Sequence, residues 1–392
     1  MKRLFFFISL LLAGMCSWSM FSLEGKTADL GRPSQELTDT IALSSVQSLP
    51  ATEICTIRHP QIDSILNRWQ KSRRFSGSVL VSYQSKLQHA AGYGYAHKGK
   101  SPIPNSPNTP FELASVSKMF TAAAVMLLHQ QGKLAYDSTV QQYLPEFPYP
   151  DITVRHLLNH RSGLCRYMAI AGEHWPEDQF LTPEDVVCLF ATYKPDLFFR
   201  PGRRFNYINS NYVVLSALVE RVSGQRFPEY MWKHIFEPLG MNHSFVRDPR
   251  AEYDELVPAT GYRRRGRRFR PIPAGPLDGA YGDKGIYSTV ADLYQFDRAL
   301  YQQVLFHDTT LQEAFSPGSP ELRTHNYGFG WRMKTWFPDM YYHFGWWGGF
   351  RSAFIRDVDQ MTTVIILSNQ DNLSLTLPPF EVYCALDDVL NE

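Results

Sequence analysis

The sequence predicts a mixed α/β (α+β) fold, in which one antiparallel β-sheet formed from both chain ends is flanked by helices and carries an inserted, mainly helical subdomain. Three observations predict this arrangement. Residues 75–96 contain two β-rich stretches on either side of a polar turn. Helical spacing of apolar residues then dominates until about residue 300. Strand-like segments return at 341–357 and 361–369, so the two ends of the chain are expected to share a sheet.

The individual elements follow from local patterns. The stretch 75–96 predicts a hairpin that turns at Gln84-Ser85-Lys86. Segments 341–357 and 361–369 predict adjacent antiparallel strands, and 380–390 predicts a closing helix. The inserted helical subdomain is expected within about 120–300, where apolar residues recur at helical spacing, for example in 153–160, 211–224 and 288–301.

The amino-terminal residues have the pattern of a secretory signal. Lys2 and Arg3 precede an apolar run that is too short to span a membrane, and small residues follow it. Cys16 allows a lipid anchor as an alternative, which Met15 disfavours because it departs from the usual cleavage motif. The expected organisation is therefore a signal peptide over 1–19, a linker or lead-in over 20–56 and one domain over 57–392, with an extracytoplasmic location and no membrane span.

Composition limits the class of partner. The chain has 39 basic and 38 acidic side chains and a formal net charge of +1, so no global field attracts nucleic acid or an anionic membrane. The arginine-rich run 261–271 has Gly266 between two basic arms, which predicts a solvated hairpin with outward arginines. No nucleic-acid-binding signature accompanies it. A small-molecule or peptide substrate is the expected partner.

Cysteine and histidine spacing predicts no metal or cofactor site. Cysteines 55, 165, 188 and 384 lack metal-binding spacing, so disulfides and free buried thiols both remain open, with free thiols favoured. His156 and His160 have the i, i+4 spacing of a metal pair, but no third ligand is evident and structural roles are favoured.

The segment 111–130 raises the first chemical question. Ser115 precedes Lys118 by three residues, at the front of a run made almost entirely of apolar residues. A buried lysine costs several kcal/mol unless it is paired or neutralised. The i, i+3 spacing places both side chains on one helix face, where a lysine with reduced hydration can take a proton from a serine hydroxyl. The alternative is a capping serine followed by a lysine that extends to solvent.

Two further motifs occur downstream in a consistent order. Tyr207 and Asn209 form a Tyr-x-Asn before a predicted helix, which could direct a phenol and an amide into one cleft. His343 and Gly345 form a His-x-Gly within a predicted strand. Gly345 would allow a substrate to come close to the strand's backbone.

These three motifs, together with the phrases HLLNHRSGL at 156–164 and GDKGIYSTVADL at 282–293, resemble the serine β-lactamase-like hydrolases. The similarity is closest to the class C β-lactamase branch, in a family that also contains D-alanyl-D-alanine peptidases, D-amino-acid peptidases and esterases. It extends from about Phe75 to Asn369. The resemblance implies a β-lactamase/transpeptidase-like fold.

The resemblance also implies roles for individual residues. Ser115 would be the acylated nucleophile, and Lys118 and Tyr207 would shuttle its proton. Asn209 would orient Lys118 and the substrate, and His343 would face Tyr207 and tune it, or else be merely structural.

An oxyanion hole is implied by the same resemblance. The backbone N–H groups of Ser115 and Trp346 would form it.

One departure from the family pattern bears on the substrate. Many β-lactamases have Lys-Thr-Gly or Lys-Ser-Gly in the strand motif, where a cation and a hydroxyl help to hold a carboxylate, whereas this chain has His343 and Phe344. Bulky Trp346 and Trp347 follow where small residues often stand. An esterase or D-amino-acid peptidase is therefore the first hypothesis, with a true β-lactamase and a non-enzymatic acylated sensor or peptide-binding module as alternatives.

Overall fold

A seven-stranded antiparallel sheet joins the two ends of the described chain. The computed structural model describes residues 53–72, 74–250, 257–266, 268–322, 324–334 and 337–371. The sheet has the order β10-β11-β12-β13-β14-β1-β2, and its strands are β1 (Gly77–Tyr83), β2 (Lys86–Tyr93), β10 (His325–Tyr327), β11 (Arg332–Lys334), β12 (Phe337–Trp347), β13 (Phe350–Asp357) and β14 (Thr362–Ser368).

The pairing of β1 with β14 confirms the predicted arrangement. Gly77 pairs with Ser368 and Ser82 pairs with Thr363, so a strand from each end of the fold lies at the centre of the sheet. The predicted hairpin over 75–96 forms as β1 and β2. A non-local pairing of this kind brings segments from both ends of the described chain into one sheet.

One strand prediction needs correction. The segment 341–357 is not a single strand, because the chain reverses at Gly348 and Gly349 and forms the hairpin β12–β13. Both glycines have positive φ values, of 54° and 88°, which residues with a Cβ rarely adopt. The sheet therefore has one more strand here than the pattern predicted.

Helices cover both faces of the sheet. The α-helices of the described residues are α1 (Pro60–Lys71), α2 (Ser117–Gln130), α3 (Val154–Leu158), α4 (Tyr167–His174), α5 (Pro183–Tyr193), α6 (Ser210–Ser223), α7 (Phe227–Met231), α8 (Val290–Gln302) and α9 (Asp308–Ala314). A π-helical turn at Trp232–Phe236 extends α7, and 3₁₀ turns occur at Ala114–Val116, Val140–Gln142 and Pro276–Gly279. The predicted helices at 153–160, 211–224 and 288–301 correspond to α3, α6 and α8.

Strand β14 shows why the sheet carries continuous apolar runs. Ile365 and Leu367 belong to the large core that includes α2 and α6, whereas Val364 and Ile366 belong to a smaller core that includes α1. Side chains alternate between the two faces of a strand, so both faces of this strand are covered by protein. Every residue of α2 from 117 to 128 is buried.

Small sheets complete the fold beside the main one. Strands β5 (Phe111–Glu112), β9 (Ile286–Ser288) and β6 (Phe245–Val246) form one of them, and β3 (Tyr95–His97) pairs with β4 (Ile103–Pro104). Strands β7 (Tyr262–Arg265) and β8 (Arg268–Pro271) form the predicted arginine-rich hairpin, and β15 (Gln370–Asp371) pairs with β7 in parallel.

Several predictions fall at the limits of the described residues. The expected signal peptide, almost all of the lead-in, Cys16, Cys384 and the closing helix at 380–390 lie outside them. Cys55, Cys165 and Cys188 are free thiols, as favoured, but Cys55 and Cys188 are exposed rather than buried. Among the described helices, none is long and apolar enough to cross a membrane.

Candidate active site

The turn at Ala114–Val116 presents Ser115. Between residues 111 and 128 every side chain is buried except that of Ser115, which is partly exposed. Ala114 has a φ of 49°, which is uncommon for a residue with a Cβ and is tolerated where surrounding contacts enforce it. The backbone N–H of Ala114 donates to Glu112 Oε1 at 3.1 Å. The turn therefore holds one hydroxyl at the surface of an otherwise closed helix.

Lys118 is fully buried and lies directly against that hydroxyl. Its Nζ atom donates to Ser115 Oγ at 3.0 Å and to the backbone carbonyl oxygen of Asp283 at 2.8 Å. The same nitrogen lies 5.1 Å from the centroid of the Tyr207 ring. A buried ammonium is tolerated when hydrogen bonds and an aromatic face replace its hydration. The lysine does not extend to solvent, so the alternative of a snorkelling side chain does not apply.

Tyr207 and Asn209 lie immediately before α6, as predicted. The Tyr207 hydroxyl and Asn209 Oδ1 are buried polar atoms that make no hydrogen bond within the described residues. Most buried polar atoms have a partner, and exceptions are concentrated at functional sites. The Tyr207 ring packs against the His160 ring at 4.4 Å between centroids. Its hydroxyl is therefore free to bond a substrate or a water molecule.

His343 lies behind Tyr207 in a closed aromatic cluster. Its Nδ1 faces the carbonyl oxygen of Phe344 at 2.9 Å, and its Nε2 lies 3.1 Å from the Tyr327 hydroxyl. The His343 ring centroid is 6.0 Å from that of Tyr207. Burial, with Arg332 and Lys118 nearby, holds the pKa of His343 well below its usual value. His343 is thus a neutral imidazole whose Nε2 accepts a hydrogen bond from the Tyr327 hydroxyl, and it does not supply the positive charge of the family's strand lysine.

Two histidines that suggested a metal pair have structural roles instead. His156 forms a capping box with Thr153 at the start of α3, and His160 Nδ1 lies 2.8 Å from the amide nitrogen of Asn211. Desolvation lowers the pKa of His160 well below its usual value. Among the described residues, no group of three or more His, Cys, Asp or Glu side chains is arranged to hold a metal ion.

The strand β12 closes the other side of the site. A Cβ at Gly345 would lie 2.4 Å from the Leu113 carbonyl oxygen and 2.2 Å from Ser352 Oγ, so this glycine lets the strand approach the turn at Ala114–Val116. Contacts within the protein therefore require a glycine here, in addition to any approach by a substrate. Pairing with β11 ends at Tyr342, so the following residues of β12 have a free edge toward the turn within the described chain. The backbone of Trp346 lies on that edge.

The aromatic residues of β12 point in different directions. The Phe344 ring packs with Tyr342 at 5.2 Å between centroids and contacts the core around α1, on the face of the sheet opposite His343. Trp346 is 58% exposed and lies under the guanidinium of Arg351. Trp347 Nε1 donates to Asp278 Oδ1 at 2.5 Å. In sequence, Phe344 stands where many β-lactamases have a hydroxyl that helps to hold a carboxylate. The Phe344 side chain faces away from Ser115, so its identity says little about how this protein would bind a substrate carboxylate.

The loop 280–285 binds Lys118, and sequence reasoning missed this role. Asp283 supplies the carbonyl that binds Lys118, and its carboxylate accepts from the Tyr167 hydroxyl at 3.3 Å. Lys284 Nζ donates to the Tyr167 hydroxyl at 3.0 Å and to the Ala280 carbonyl oxygen at 2.6 Å. In the sequence, residues 282–293 contribute only to the family resemblance. The signal that could have indicated the role of this loop is the charged pair Asp283-Lys284, which stands between two glycines.

Arg332 is a second residue that sequence reasoning missed. It lies on β11, and its guanidinium carbon is 4.5 Å from the centroid of the Tyr207 ring. Of the described residues, none forms a hydrogen bond or ion pair with its guanidinium. Its position beside Tyr207 depends on the pairing of β11 with β12, which no local pattern near residue 332 indicates. The site therefore contains a partly exposed cation.

Glu112 connects the turn that carries Ser115 to the loop 280–285. One carboxylate oxygen, Oε1, accepts from the N–H of Ala114 and from the N–H of Gly285 at 2.8 Å. Desolvation is the largest influence on the pKa of Glu112 and raises it. The hydrogen bond from Gly285 and the charge of Lys284 lower the pKa and the charge of Asp278 raises it, with a net change from the ordinary value of 4.5 to about 7. The group thus changes charge near neutral pH.

We expect this titration to appear in the stability of the protein. Because the folded state binds the Glu112 proton more tightly than the unfolded chain, the stability it contributes is complete below about pH 4.5 and declines as pH rises to about 7. The decline is at most about 3 kcal/mol. The free energy of unfolding of Glu112→Gln minus that of the parent should therefore increase from pH 4 to pH 8, as measured by urea unfolding. Exposed Glu173→Gln is the control, and a Glu112→Gln curve parallel to the parent's would contradict the prediction.

Comparisons with known proteins identify the relatives of this chain. A family model described as Beta-lactamase matches residues 63–376. The chain is 31% identical over 332 residues to penicillin-binding protein 4* of Bacillus subtilis (strain 168), which covers 80% of this chain and 72% of that protein. It is 27% identical over 303 residues to a D-aminopeptidase of Gluconobacter oxydans (strain 621H), which covers 75% of this chain and 55% of that protein.

A solved structure agrees with the fold. The crystal structure of a penicillin-binding protein from Bacillus halodurans matches with a TM-score of 0.72 and 25% identity, over 85% of this chain and all of that one. The family model covers most of the sequence, including the segments that carry Ser115, Lys118 and Tyr207. The chain therefore belongs to the Beta-lactamase family and has the serine β-lactamase/transpeptidase fold that its motifs implied.

Proposed function

We propose that this protein hydrolyses amides, peptides or esters of D-amino acids through a covalent acyl-enzyme on Ser115. The observation that carries the proposal is the 3.0 Å contact between Lys118 Nζ and Ser115 Oγ, in a lysine that is otherwise held by a carbonyl and an aromatic face. A nucleophile within hydrogen-bond distance of a positioned base is the arrangement that acyl transfer requires.

The proposed reaction has two steps. Ser115 Oγ attacks the acyl carbonyl carbon while its proton passes to the unprotonated amine of Lys118. The tetrahedral intermediate then collapses as Tyr207 gives its proton to the leaving amine or alcohol and regains one from Lys118. In the second step water attacks the ester bond to Ser115, its proton returns to Ser115 through the same groups, and the acid is released. Backbone N–H groups of Ser115 and Trp346 would stabilise the oxyanion in both steps.

The unpaired Tyr207 hydroxyl supports a part in this proton transfer. A buried phenol that bonds no atom in the described part of the chain has an unmet hydrogen-bonding requirement, which a substrate or water can meet. Once Lys118 has taken the Ser115 proton, its positive charge beside the Tyr207 ring favours loss of the phenol proton to the leaving group. Asn209 Oδ1 is likewise unpaired and could accept from an amide N–H of the substrate.

Arg332 supports a substrate that carries a carboxylate. Its guanidinium is partly exposed and makes no polar contact with a described residue, although it lies against Tyr207. Guanidinium groups bind carboxylates in bidentate geometry. The Gluconobacter relative is named a D-aminopeptidase, which supports D-amino-acid substrates for this chain as well. A short D-peptide with a free terminal carboxylate satisfies both observations.

The substrate proposal is tested by pairing two substrates that differ only at the terminal group. We expect Arg332→Gln to lower kcat/KM for D-alanyl-D-alanine by roughly 10- to 100-fold, because a hydrogen bond to a charged group is worth about 1.5–3 kcal/mol. The same variant should leave kcat/KM for D-alanyl-D-alanine amide nearly unchanged. Lys334→Gln, two residues along the same strand, is the matched control and should affect neither substrate.

Other outcomes would point to the other hypotheses. An equal loss on both dipeptides would mean that Arg332 acts through Tyr207 and not on a carboxylate. A chromogenic cephalosporin hydrolysed with higher kcat/KM than D-amino-acid amides and p-nitrophenyl esters would make the protein a β-lactamase. Stoichiometric acylation of Ser115 without turnover of any of these substrates would support the sensor hypothesis.

A further inference from the structure

The hairpin β7–β8 presents four arginines on one face. Arg263 pairs with Arg270 across the hairpin, and Arg265 pairs with Arg268. Side chains alternate along a strand, so members of these two pairs share a face. All four residues are exposed. We call this surface the arginine face.

The arginine face is poorly neutralised. Directly opposed like charges destabilise an antiparallel pair. In the described part of the chain the only ion pair formed by these four side chains joins Arg263 Nε to Asp371 at 3.8 Å, and Asp371 also binds Arg351 at 3.1 Å. The whole chain carries a net charge of only +1, so this positive surface is local. An anionic partner would relieve the repulsion that the hairpin otherwise bears.

The opposite face of the hairpin is already occupied. The Lys98 ammonium lies 4.0 Å from the Phe269 ring centroid and 4.8 Å from that of Tyr262. The Tyr262 hydroxyl also accepts from the Lys98 N–H at 2.7 Å. Both rings therefore pack against the protein, and neither offers a stacking surface for nucleic-acid bases. The arginine face contains no apolar side chain that could insert into a lipid surface.

The base of the hairpin adjoins the end of strand β12. A Cβ at Gly261 would lie 2.0 Å from the Gly348 carbonyl oxygen, and the Ile272 N–H donates to the Gly261 carbonyl at 2.9 Å. Gly261 and Ile272 also line a cavity of about 400 Å³ that extends to Trp347 and Glu112. By strand alternation these two residues lie on the same side as the arginine face. The arginine face thus adjoins the cavity that Trp347 and Glu112 line.

We propose that the arginine face binds a linear polymer with closely spaced phosphate groups and no bases, and holds it beside the cavity that Trp347 and Glu112 line. Guanidinium groups bind phosphates in bidentate geometry. Positions two residues apart on a strand are separated by roughly 7 Å, and opposed positions by about 5 Å, so four guanidiniums can meet several phosphates of one chain. The binding does not depend on turnover at Ser115, so it can fail or succeed independently of the proposed hydrolysis.

The test measures binding of fluorescently labelled long-chain inorganic polyphosphate to the full-length protein by anisotropy across a salt series. We expect Arg263→Gln/Arg270→Gln and Arg265→Gln/Arg268→Gln each to weaken binding roughly 10- to 100-fold at low salt and to reduce the salt slope by about 2. Arg263→Lys/Arg270→Lys should retain much of the affinity because it retains the charge.

The control removes two exposed arginines elsewhere. Arg200→Gln/Arg203→Gln, in the loop between α5 and α6, should bind as the parent does. Equal weakening in this control would reduce the effect to net charge and overturn the proposal. It would also be overturned by absent polyphosphate binding in the parent, or by tighter binding of single-stranded DNA or of phosphatidylglycerol vesicles than of polyphosphate under the same conditions.

Discussion

Ser115→Ala should abolish turnover of every substrate that the protein hydrolyses, with a loss in kcat on the order of 10⁴-fold or more. No other hydroxyl of the segment 111–128 can take over, because Ser115 is the only partly exposed side chain between these residues. The substitution removes one oxygen and leaves the helix intact. Steady-state kinetics with a p-nitrophenyl ester and a D-amino-acid amide measure the loss.

The neighbouring serine provides the matched test. Ser117 is fully buried, and its hydroxyl accepts from the N–H of Ile286 at 3.2 Å. A fluorophosphonate probe should therefore label Ser115 and leave Ser117 unmodified, as read by peptide mass spectrometry. Labelling of any other serine, or persistent turnover in Ser115→Ala, would contradict the assignment of the nucleophile.

Tyr207→Phe should lower kcat by roughly 10²- to 10⁴-fold while leaving the free energy of unfolding almost unchanged. The reason is that the Tyr207 hydroxyl makes no hydrogen bond to any residue that the structure describes, so its removal costs no hydrogen bond among them. Tyr212→Phe should do the opposite. The Tyr212 hydroxyl donates to the Leu158 carbonyl at 2.8 Å, and its loss should cost about 1–3 kcal/mol of stability with little effect on kcat.

Lys118 completes this prediction. Lys118→Met keeps the length of the side chain and removes the amine, and it should lower kcat strongly, because the amine is the direct contact of Ser115. If Lys118 and Tyr207 act as a unit, the double variant should lose much less than the product of the two single losses. Multiplicative losses would show that the two groups act independently. Thermal unfolding of each variant separates an effect on folding from an effect on chemistry.

Much of the fold could be predicted from local sequence. The hairpin at 75–96, the helices α3, α6 and α8 and the return of strands near the carboxyl end all follow from periodicity, which is set by which face of an element is buried. The double strand at 341–357 was missed because a glycine pair in a β-rich run fits either a close approach or a reversal, and only the positive φ values at Gly348 and Gly349 distinguish them.

The sequence by itself determined the chemical inventory: an S-x-x-K at the start of a buried helix, a Tyr-x-Asn before another and a His-x-Gly in a strand, in an order that resembles one family. Only the tertiary structure decided what surrounds them. The carbonyl of Asp283 on Lys118, the guanidinium of Arg332 on Tyr207 and the packing of Phe344 against the core around α1 all depend on contacts between distant segments. Local patterns report burial within one element, whereas these contacts arise from how separate elements pack together.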